Sequence, residues 1–483
     1  MTSEVFESPR LKAGALLGLT GMAAVVAGAL ASVRPALAVA GMVGAGLAVG
    51  VWRRPAVAAV LYVGITPFVV GIDRGKLIPL LRPNEAVLLA LAAILAARGL
   101  VRAPSRVRMR DRLGPLDWSL VLMAVAASFV PLVWMAARGQ SPTGDDISYA
   151  LVLWKFLAVY VLVRVSVRAD REVLWCLVAS VAAATVVGVI GILQALDLLG
   201  IRGLLMDWYI PEGTNQVAIE APRAGATVAL PAAAADLLVF NLAIVAGIWY
   251  RVRRHGFLLA VPVAVYLPGV FAAGEFSSVL ALLVGVIAVA AALRRLDLLR
   301  YAPFLLVGTG VMMWPVIEHR LIGFQGVSGL PVSWTTRLSN LRTYFWPEIF
   351  SGPDILLGVR PAARVRVPTQ DTGYVWIESG YTWLLWGGGI PLLAAFVHFA
   401  RTAGGMTLRR CRSLSSWSSV AALASFAAVN VVVVTMIFDP HLTYRGSADA
   451  LFALLALSMT AGAEKTAGAD IPAARQSVEG GDR

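Results

Sequence analysis

Glu378-Ser379-Gly380-Tyr381-Thr382-Trp383-Leu384-Leu385-Trp386-Gly387-Gly388-Gly389-Ile390-Pro391-Leu392 is the stretch in which an apolar helix takes over from a polar interval, residues 319–376. That interval is the one long loop in a chain that otherwise reads as one hydrophobic helix after another, so it is the place to look for chemistry. Of the 483 residues, 59% are apolar and 14% charged, and the mean hydropathy is +0.77. Such a chain has lipid as its main solvent. About fourteen apolar segments of roughly 17–25 residues follow one another, each long enough to cross a hydrocarbon core of about 30 Å. Their centres lie near Ala24, Val43, Ile65, Leu91, Ala126, Ala158, Ala183, Val239, Ala264, Val284, Gly308, Leu392, Ala427 and Leu454. The sequence thus predicts an all-α polytopic membrane protein with about 12–14 transmembrane helices and one long extracytoplasmic loop containing short helices. Residues 1–463 read as a single transmembrane domain and 464–483 as a disordered cytoplasmic tail. No cleavable signal peptide stands out, because the apolar run 13–32 is too long and lacks a small-residue cleavage site.

Orientation follows from the basic residues. With a cytoplasmic N-terminus (Arg10, Lys12), strict alternation places Arg53 and Arg54, the run 102–112, Arg164, Arg168 and Arg171 inside. Arg251, Arg253 and Arg254, then Arg294, Arg295 and Arg300, then Arg401, Arg409, Arg410 and Arg412 fall on the same side. This is the positive-inside pattern, with both termini cytoplasmic. The formal charge of +13 is accordingly a topology signal and disfavours nucleic-acid binding. The same alternation puts residues 201–224, 319–376 and 439–447 outside.

Several function classes drop out. The four histidines are scattered and no Cys/His cluster or HExxH pattern is present, so no metal is expected. Without a Walker A sequence an ATP-driven pump is disfavoured, no cofactor is expected, and any reaction must draw its energy from its substrate. Cys176 falls near the inner end of a span and Cys411 in a cytoplasmic loop, so no extracytoplasmic disulfide is expected.

Against the usual bias, the long loop carries Arg320, Arg337, Arg342, Arg360, Arg364 and Arg366, and Arg223 sits just before another span. Guanidinium forks bind phosphate oxygens in pairs and stay charged, so the group favours binding of a membrane-anchored diphosphate. A loop attracted to lipid headgroups is the plainer reading of any one of them.

The residues Arg337-Leu-Ser-Asn-Leu-Arg342, Trp346-Pro-Glu-Ile-Phe350, Pro353-Asp-Ile-Leu-Leu-Gly358-Val359 and Glu378-Ser-Gly-Tyr381 follow in that order. Together with Arg223-Ala-Gly-Ala-Thr-Val-Ala-Leu-Pro231 upstream, they resemble the signature of the O-antigen ligase and polysaccharide polymerase superfamily. The resemblance covers about residues 223–391. It implies a GT-C-like membrane glycosyltransferase that takes a polyprenyl-diphosphate-linked saccharide on the outer face. An acceptor hydroxyl displaces the lipid diphosphate with inversion and without a metal. The implied partners are donor lipid, glycan acceptor and bilayer lipid; the Ala-, Arg- and Gly-rich usage points to a GC-rich bacterial genome and so to the cell (inner) membrane of a bacterium.

On that reading Arg223 and Arg337 stabilise the departing diphosphate, with Arg342 and Arg360 behind them as substrate-binding residues. Glu378 stands where the family has a polar residue and serves as base or acceptor ligand. The alternative is a plain helix cap favoured by the macrodipole. Many ligases have a histidine where Glu378 stands, which shifts the expectation toward polymerases. The segment Gly274-Glu275-Phe276-Ser277 sits where many members carry Ser-Arg, and Glu275 either pairs with an outer arginine or binds the acceptor.

Tyr344, Trp346, Tyr374, Trp376, Tyr381 and Trp383 are candidates to stack on sugars, though interfacial aromatics are common in any membrane protein. Tyr381 is retained as a substrate-binding candidate. Lys155 lies in an apolar run, where a bare charge costs about 2.5–3.5 kcal/mol, and so is paired, snorkelling or lining a cavity. Related polymerases often have a lysine there, so it too is a substrate-binding candidate. Asp236 and Asn241 read best as helix–helix hydrogen bonds, Asp145 and Asp146 as loop residues, and the turn 439–445 as a candidate second wall. Within the long loop, residues 334–350 place Leu338, Leu341, Phe345 and Ile349 on one face, the pattern of a helix lying on the membrane surface. Polymerase leads, an O-antigen-ligase-like transfer to another acceptor is second, and a polysaccharide or lipid transporter is third.

Overall fold

In hydrocarbon every backbone N–H and C=O must be satisfied within the protein, and an apolar chain meets that demand by coiling into helices. The computed structural model describes residues 35–78, 81–102, 113–209, 221–252, 256–322, 332–368, 373–412 and 414–460. It is about 78% helical, with one two-stranded ribbon among the described residues. The helices are α1 Pro35–Arg53, α2 Ala56–Val69, α3 Pro83–Arg102, α4 Pro115–Ala137, α5 Gly144–Ala150, α6 Val152–Ser166 and α7 Asp170–Ala195. They continue with α8 Ile201–Met206, α9 Pro231–Val252, α10 Gly256–Ala272, α11 Phe276–Ala292, α12 Ala302–Met312 and α13 Trp314–Ile322. The long loop contributes α14 Val332–Asn340, a π-turn Leu341–Phe345, α15 Trp346–Phe350, α16 Asp354–Leu357 and the antiparallel pair β1 Arg364–Arg366 and β2 Tyr374–Trp376. The chain closes with α17 Gly380–Cys411, α18 Trp417–Thr435 and α19 Ser447–Ser458.

Among the described residues, seven stretches are long and apolar enough to cross a membrane: α3, α4, α5 with α6, α7, α9, α17 and α18. Five shorter apolar helices accompany them, so the chain is an all-α, multi-pass membrane protein. Thirteen of the fourteen predicted centres fall in described helices; the segment about Ala24 lies outside the described residues. The span expected about Gly308 is instead an 11-residue helix, α12, followed at once by α13. Pro315, early in α13, has no N–H to continue α12, which accounts for the interruption.

α9 and α18 form the centre of the bundle, each with 78% of its apolar window buried. Close approach there rests on small residues: a Cβ on Gly269 of α10 would stand 2.7 Å from Leu238 of α9 and 3.5 Å from Gly188 of α7. Asn241 accordingly bonds Ser180 across the α9–α7 contact (2.8 Å), as expected of a helix–helix link.

Two ends can be told apart by their contacts. At one, the loop end, Gly71 bonds Thr227 O, Ala224 bonds Ala272 O and Gly380 bonds Met436 O. At the other, Asp170 accepts the N–H groups of Trp417 and Ser418 that open α18 (2.9 Å each), and Arg410 reaches Ser458 O. Cys411, expected in a loop, is the buried last residue of α17.

The segment 334–350 turns most of its apolar face into the protein. Leu341, Phe345 and Ile349 are buried in the protein core and Phe345 packs edge-on against Trp386 at 5.2 Å; only Leu338 of the predicted face is exposed. A helix beside an apolar span can bury its stripe there as readily as in lipid, and the sequence pattern is the same for both.

α17 is broken. Gly389 has φ 62° and ψ −153°, and Pro391 follows with no N–H to offer. The freed carbonyl of Trp386 accepts instead from Val359 N (2.7 Å) and Arg360 N (3.3 Å), while Trp386 Nε1 donates to Ala362 O (2.9 Å). The crossing is tight: a Cβ on Gly358, at φ +88°, would lie 2.7 Å from Gly388 N. Only glycine fits that backbone at that distance.

Candidate functional site

At the loop end a cavity of about 350 Å³ is lined by Arg223, Glu275, Arg337 and Glu378, with Trp334, Asn340 and Phe438. Four chain segments deliver its charged groups. Arg223 precedes the short turn Ala226–Val228 and is carried beside Gly274, where an added Cβ would meet Arg223 Cγ at 3.3 Å. Glu275 is the residue at which α11 begins, and Arg337 lies in the last turn of α14. Glu378 stands one residue outside α17, whose cap is Ser379, with Oγ accepting Thr382 N at 3.3 Å. The capping alternative for Glu378 therefore falls to its neighbour.

Arg337 is the hub. Its Nη1 donates to Asp439 Oδ2 at 2.7 Å and its Nε lies 3.6 Å from Glu378 Oε1. Arg223 Nη2 donates to Glu275 Oε1. Side-chain exposure falls from 34% at Glu378 to 10% at Asp439, so Glu378 faces the cavity while Asp439 backs the guanidinium. Burial pushes the Glu378 carboxyl above its ordinary range; Arg337 pulls it down and Asp439 adds to the rise. Asp439 is raised for the same leading reason, burial, against the pull of Arg337. Burial by itself would lower Arg337, but Asp439 and Glu378 outweigh it and the guanidinium is raised.

No family model matches the chain, and no curated protein matches it significantly. The chemistry is therefore argued from the residues. Behind Asp439, His441 and Asp236 are fully buried and joined at 2.6 Å, while His441 N bonds Asp439 O at 2.8 Å. The Asp236 carboxylate thus ties its span to the turn His441–Thr443 through one oxygen, rather than making the helix–helix hydrogen bond expected of it. An aromatic wall comes from Trp334, set 6.2 Å from Phe276 and 5.2 Å from Phe438.

The structure brings together Arg223, Arg337, Glu378 and Glu275 and leaves the other candidates elsewhere. Arg360 is a clamp: its Nε and Nη2 grip the two oxygens of Asp146 at 2.9 and 2.6 Å. Asp146 is no loop residue, since it is fully buried in the first turn of α5, where Thr143 completes a capping box. Arg364 likewise holds Asp145, and Arg138 holds Asp354 at 2.8 Å. Arg342 is exposed and does not line the cavity. Tyr381 is spent on structure, its hydroxyl donating to Val433 O at 2.8 Å. Lys155 is half-buried on α6 with Nζ 4.4 Å from the Phe156 ring centroid, the cation–π solution to a charge in an apolar run. None of the six aromatics singled out in the sequence lines the cavity.

Asp439 is the residue that sequence reasoning undervalues. Its signal is a place in a turn, 439–445, returning to the same end as Arg337, but nothing local pairs two residues 102 positions apart. Among the described residues no group of three or more His, Cys, Asp or Glu side chains is arranged to hold a metal ion.

Proposed function

We propose that this protein is a membrane glycosyltransferase of GT-C-like architecture that joins polyprenyl-diphosphate-linked oligosaccharides into a cell-surface polysaccharide. The observation that carries the reading is the convergence of Arg223, Arg337, Glu378 and Glu275 on one cavity at the loop end. On this reading the loop end faces outward from a bacterial inner membrane, with both termini in the cytoplasm, and no cofactor takes part.

The donor's diphosphate lies against Arg223 and Arg337. An acceptor hydroxyl gives its proton to Glu378 as its oxygen bonds to the anomeric carbon; the bond from that carbon to the diphosphate oxygen breaks, and the leaving group departs with its electron pair. Preorganised guanidinium groups in a partly water-excluded site stabilise the charge that develops, each donor being worth about 3–4 kcal/mol. Two guanidinium groups face three carboxylates here, Glu275, Glu378 and Asp439. An arriving diphosphate competes for Arg337 with the longer, weaker contact to Glu378 and leaves the 2.7 Å contact to Asp439 in place. Releasing Glu378 from its cation makes it a better base at the moment the donor is bound. The aromatic wall supplies faces on which a sugar ring can rest.

The test is direct. The purified protein is incubated with a polyprenyl-diphosphate oligosaccharide, and longer glycans and released lipid diphosphate are measured alongside Arg223→Ala, Arg337→Ala and Glu378→Gln. Elongation that is lost in the variants supports the reading, and undiminished turnover in all three removes the site. Transfer to a different acceptor without elongation would make the protein a ligase of the same chemistry.

A further inference from the structure

A second cluster of arginines stands at the loop end, where residues 72–78 and 81–82, between α2 and α3, meet the turn 439–446 between α18 and α19. Asp73 Oδ1 lies 3.6 Å from Arg82 Nη2 and 3.9 Å from Arg445 Nη1. One carboxylate oxygen is thus placed between two guanidinium groups, beyond hydrogen-bond reach of either. Arg82 Nε and Arg445 Nη1 are both buried, and among the described residues both lack a hydrogen-bond partner. The third arginine, Arg74, is matched with its own carboxylate, Glu85, at 3.3 Å.

The contrast with Arg337 is electrostatic. Arg337 is raised by the carboxylates around it, whereas Arg82 is lowered by burial that Asp73 and Glu85 do not offset, with Arg74 adding repulsion. The cavity has two cations against three anions; the guanidinium groups of Arg82 and Arg445 have one anion within 4 Å, Asp73, loosely held and 40% exposed, with Glu85 engaged by Arg74. A buried donor left without an acceptor is costly, and a tetrahedral phosphoryl group, with several oxygens, reaches both guanidinium groups where one carboxylate oxygen does not.

We propose that Arg82 and Arg445, with Asp73 as a displaceable stand-in, form a second anion site that holds the phosphoryl group anchoring the acceptor to its lipid. This rests on the glycosyl-transfer reading and extends it, because a polymerase joins two lipid-diphosphate substrates and needs a place for each. The spacing agrees. Asp439 touches Arg337 at the cavity and Arg445 is six residues further along the same turn, which limits the Cα separation of Asp439 and Arg445 to about 20 Å and the two sites to about 30 Å. A short oligosaccharide bridges such a gap, so its anchor can rest at Arg82 and Arg445 while its far hydroxyl enters the cavity.

The experiment titrates the full chain, in phosphatidylcholine nanodiscs, with farnesyl diphosphate and separately with inorganic pyrophosphate, following heat. Wild type is expected to take two equivalents of farnesyl diphosphate, each more tightly than pyrophosphate. Arg82→Gln with Arg445→Gln takes one, and Arg337→Ala loses the other. Asp73→Asn, which removes the competing carboxylate and leaves both arginines, binds at the second site roughly tenfold more tightly, a change of about 1.4 kcal/mol. An unchanged count in the double variant, or an unaltered affinity in Asp73→Asn, overturns the proposal. Pyrophosphate bound as tightly as the lipid would make this a site for soluble phosphate, and displacement by phosphatidylglycerol in the nanodisc would make it a general headgroup contact; either outcome also overturns it. Loss of an equivalent in Arg337→Ala with no change in the double variant would remove the second site and leave the glycosyl-transfer cavity standing, so the two readings fail separately.

Discussion

The two ends of the bundle use arginine in different ways. At the end opposite the long loop, guanidinium groups satisfy helix C-termini: Arg98 donates to Trp52 O at 2.8 Å, Arg410 to Ser458 O at 2.6 Å and Arg164 to Met459 O at 3.3 Å. These are the carbonyls a helix leaves unpaired, and a cation there also opposes the helix dipole. At the loop end Arg202 does the same for Gln194 O (2.9 Å), but the arginines of the cavity and the long loop pair with carboxylates from distant segments: Arg337 with Asp439, Arg223 with Glu275, Arg360 with Asp146, Arg364 with Asp145. A backbone carbonyl is a fixed partner. A carboxylate can be replaced by another anion, or protonated, and it is at the loop end that such pairs gather around a cavity.

The largest expected effect tests that difference at its centre. Arg337→Ala should lower turnover of a lipid-linked saccharide by about 100- to 1,000-fold, the loss expected for one preorganised donor, and Arg223→Ala should fall in the same range. Next comes stability at the clamp. Arg360→Ala leaves the fully buried Asp146 carboxylate without its cation, and thermal unfolding should report a loss of about 3 kcal/mol; turnover per folded molecule should stay within about twofold, which a substrate-binding role for Arg360 would not allow.

Glu378 gives a pH signature. Acting as a base it must be ionised, and burial raises its carboxyl, so the rate should fall on acidification at a pH above that of an ordinary glutamate. The linkage sign is the reverse for stability: a carboxyl raised by folding favours the folded state below its unfolded pKa, and that contribution is lost as pH rises through the folded value. Glu378→Gln should thus stop turnover without lowering the melting temperature at neutral pH, and a marked drop would show a structural ion pair instead. The smallest effect belongs to the opposite end, where Arg410→Ala should cost about 1 kcal/mol or less of stability and leave turnover within about twofold.

Helix positions were legible because an apolar run of the right length in lipid has one good solution, and the described helices sit where those runs do. Arg223, Arg337, Glu378 and Glu275 were legible as types and as neighbours of helix ends. Their partners were not: Asp146 pairs with a residue 214 positions away and Asp439 with one 102 positions away, and no periodicity encodes such meetings. Arg360 and Arg364 were indistinguishable from Arg337 until the acids opposite them were located. The break in α17 had a visible signal in Gly387-Gly388-Gly389-Ile390-Pro391, but glycine is also common in intact membrane helices, and the residues that repair the break lie some 27 positions upstream, at Val359.

That repair bears on how the protein is made. Trp386 O would be buried without a partner if Val359 and Arg360 did not donate to it, and both precede it in the chain. The backbone of α17 is thus completed by the loop that precedes it, and the helix is fully hydrogen-bonded only once that loop has folded against it. A Gly358→Ala chain, unable to make the crossing, should be stalled at that stage and be cleared by the cell's quality-control proteases before any question of turnover arises.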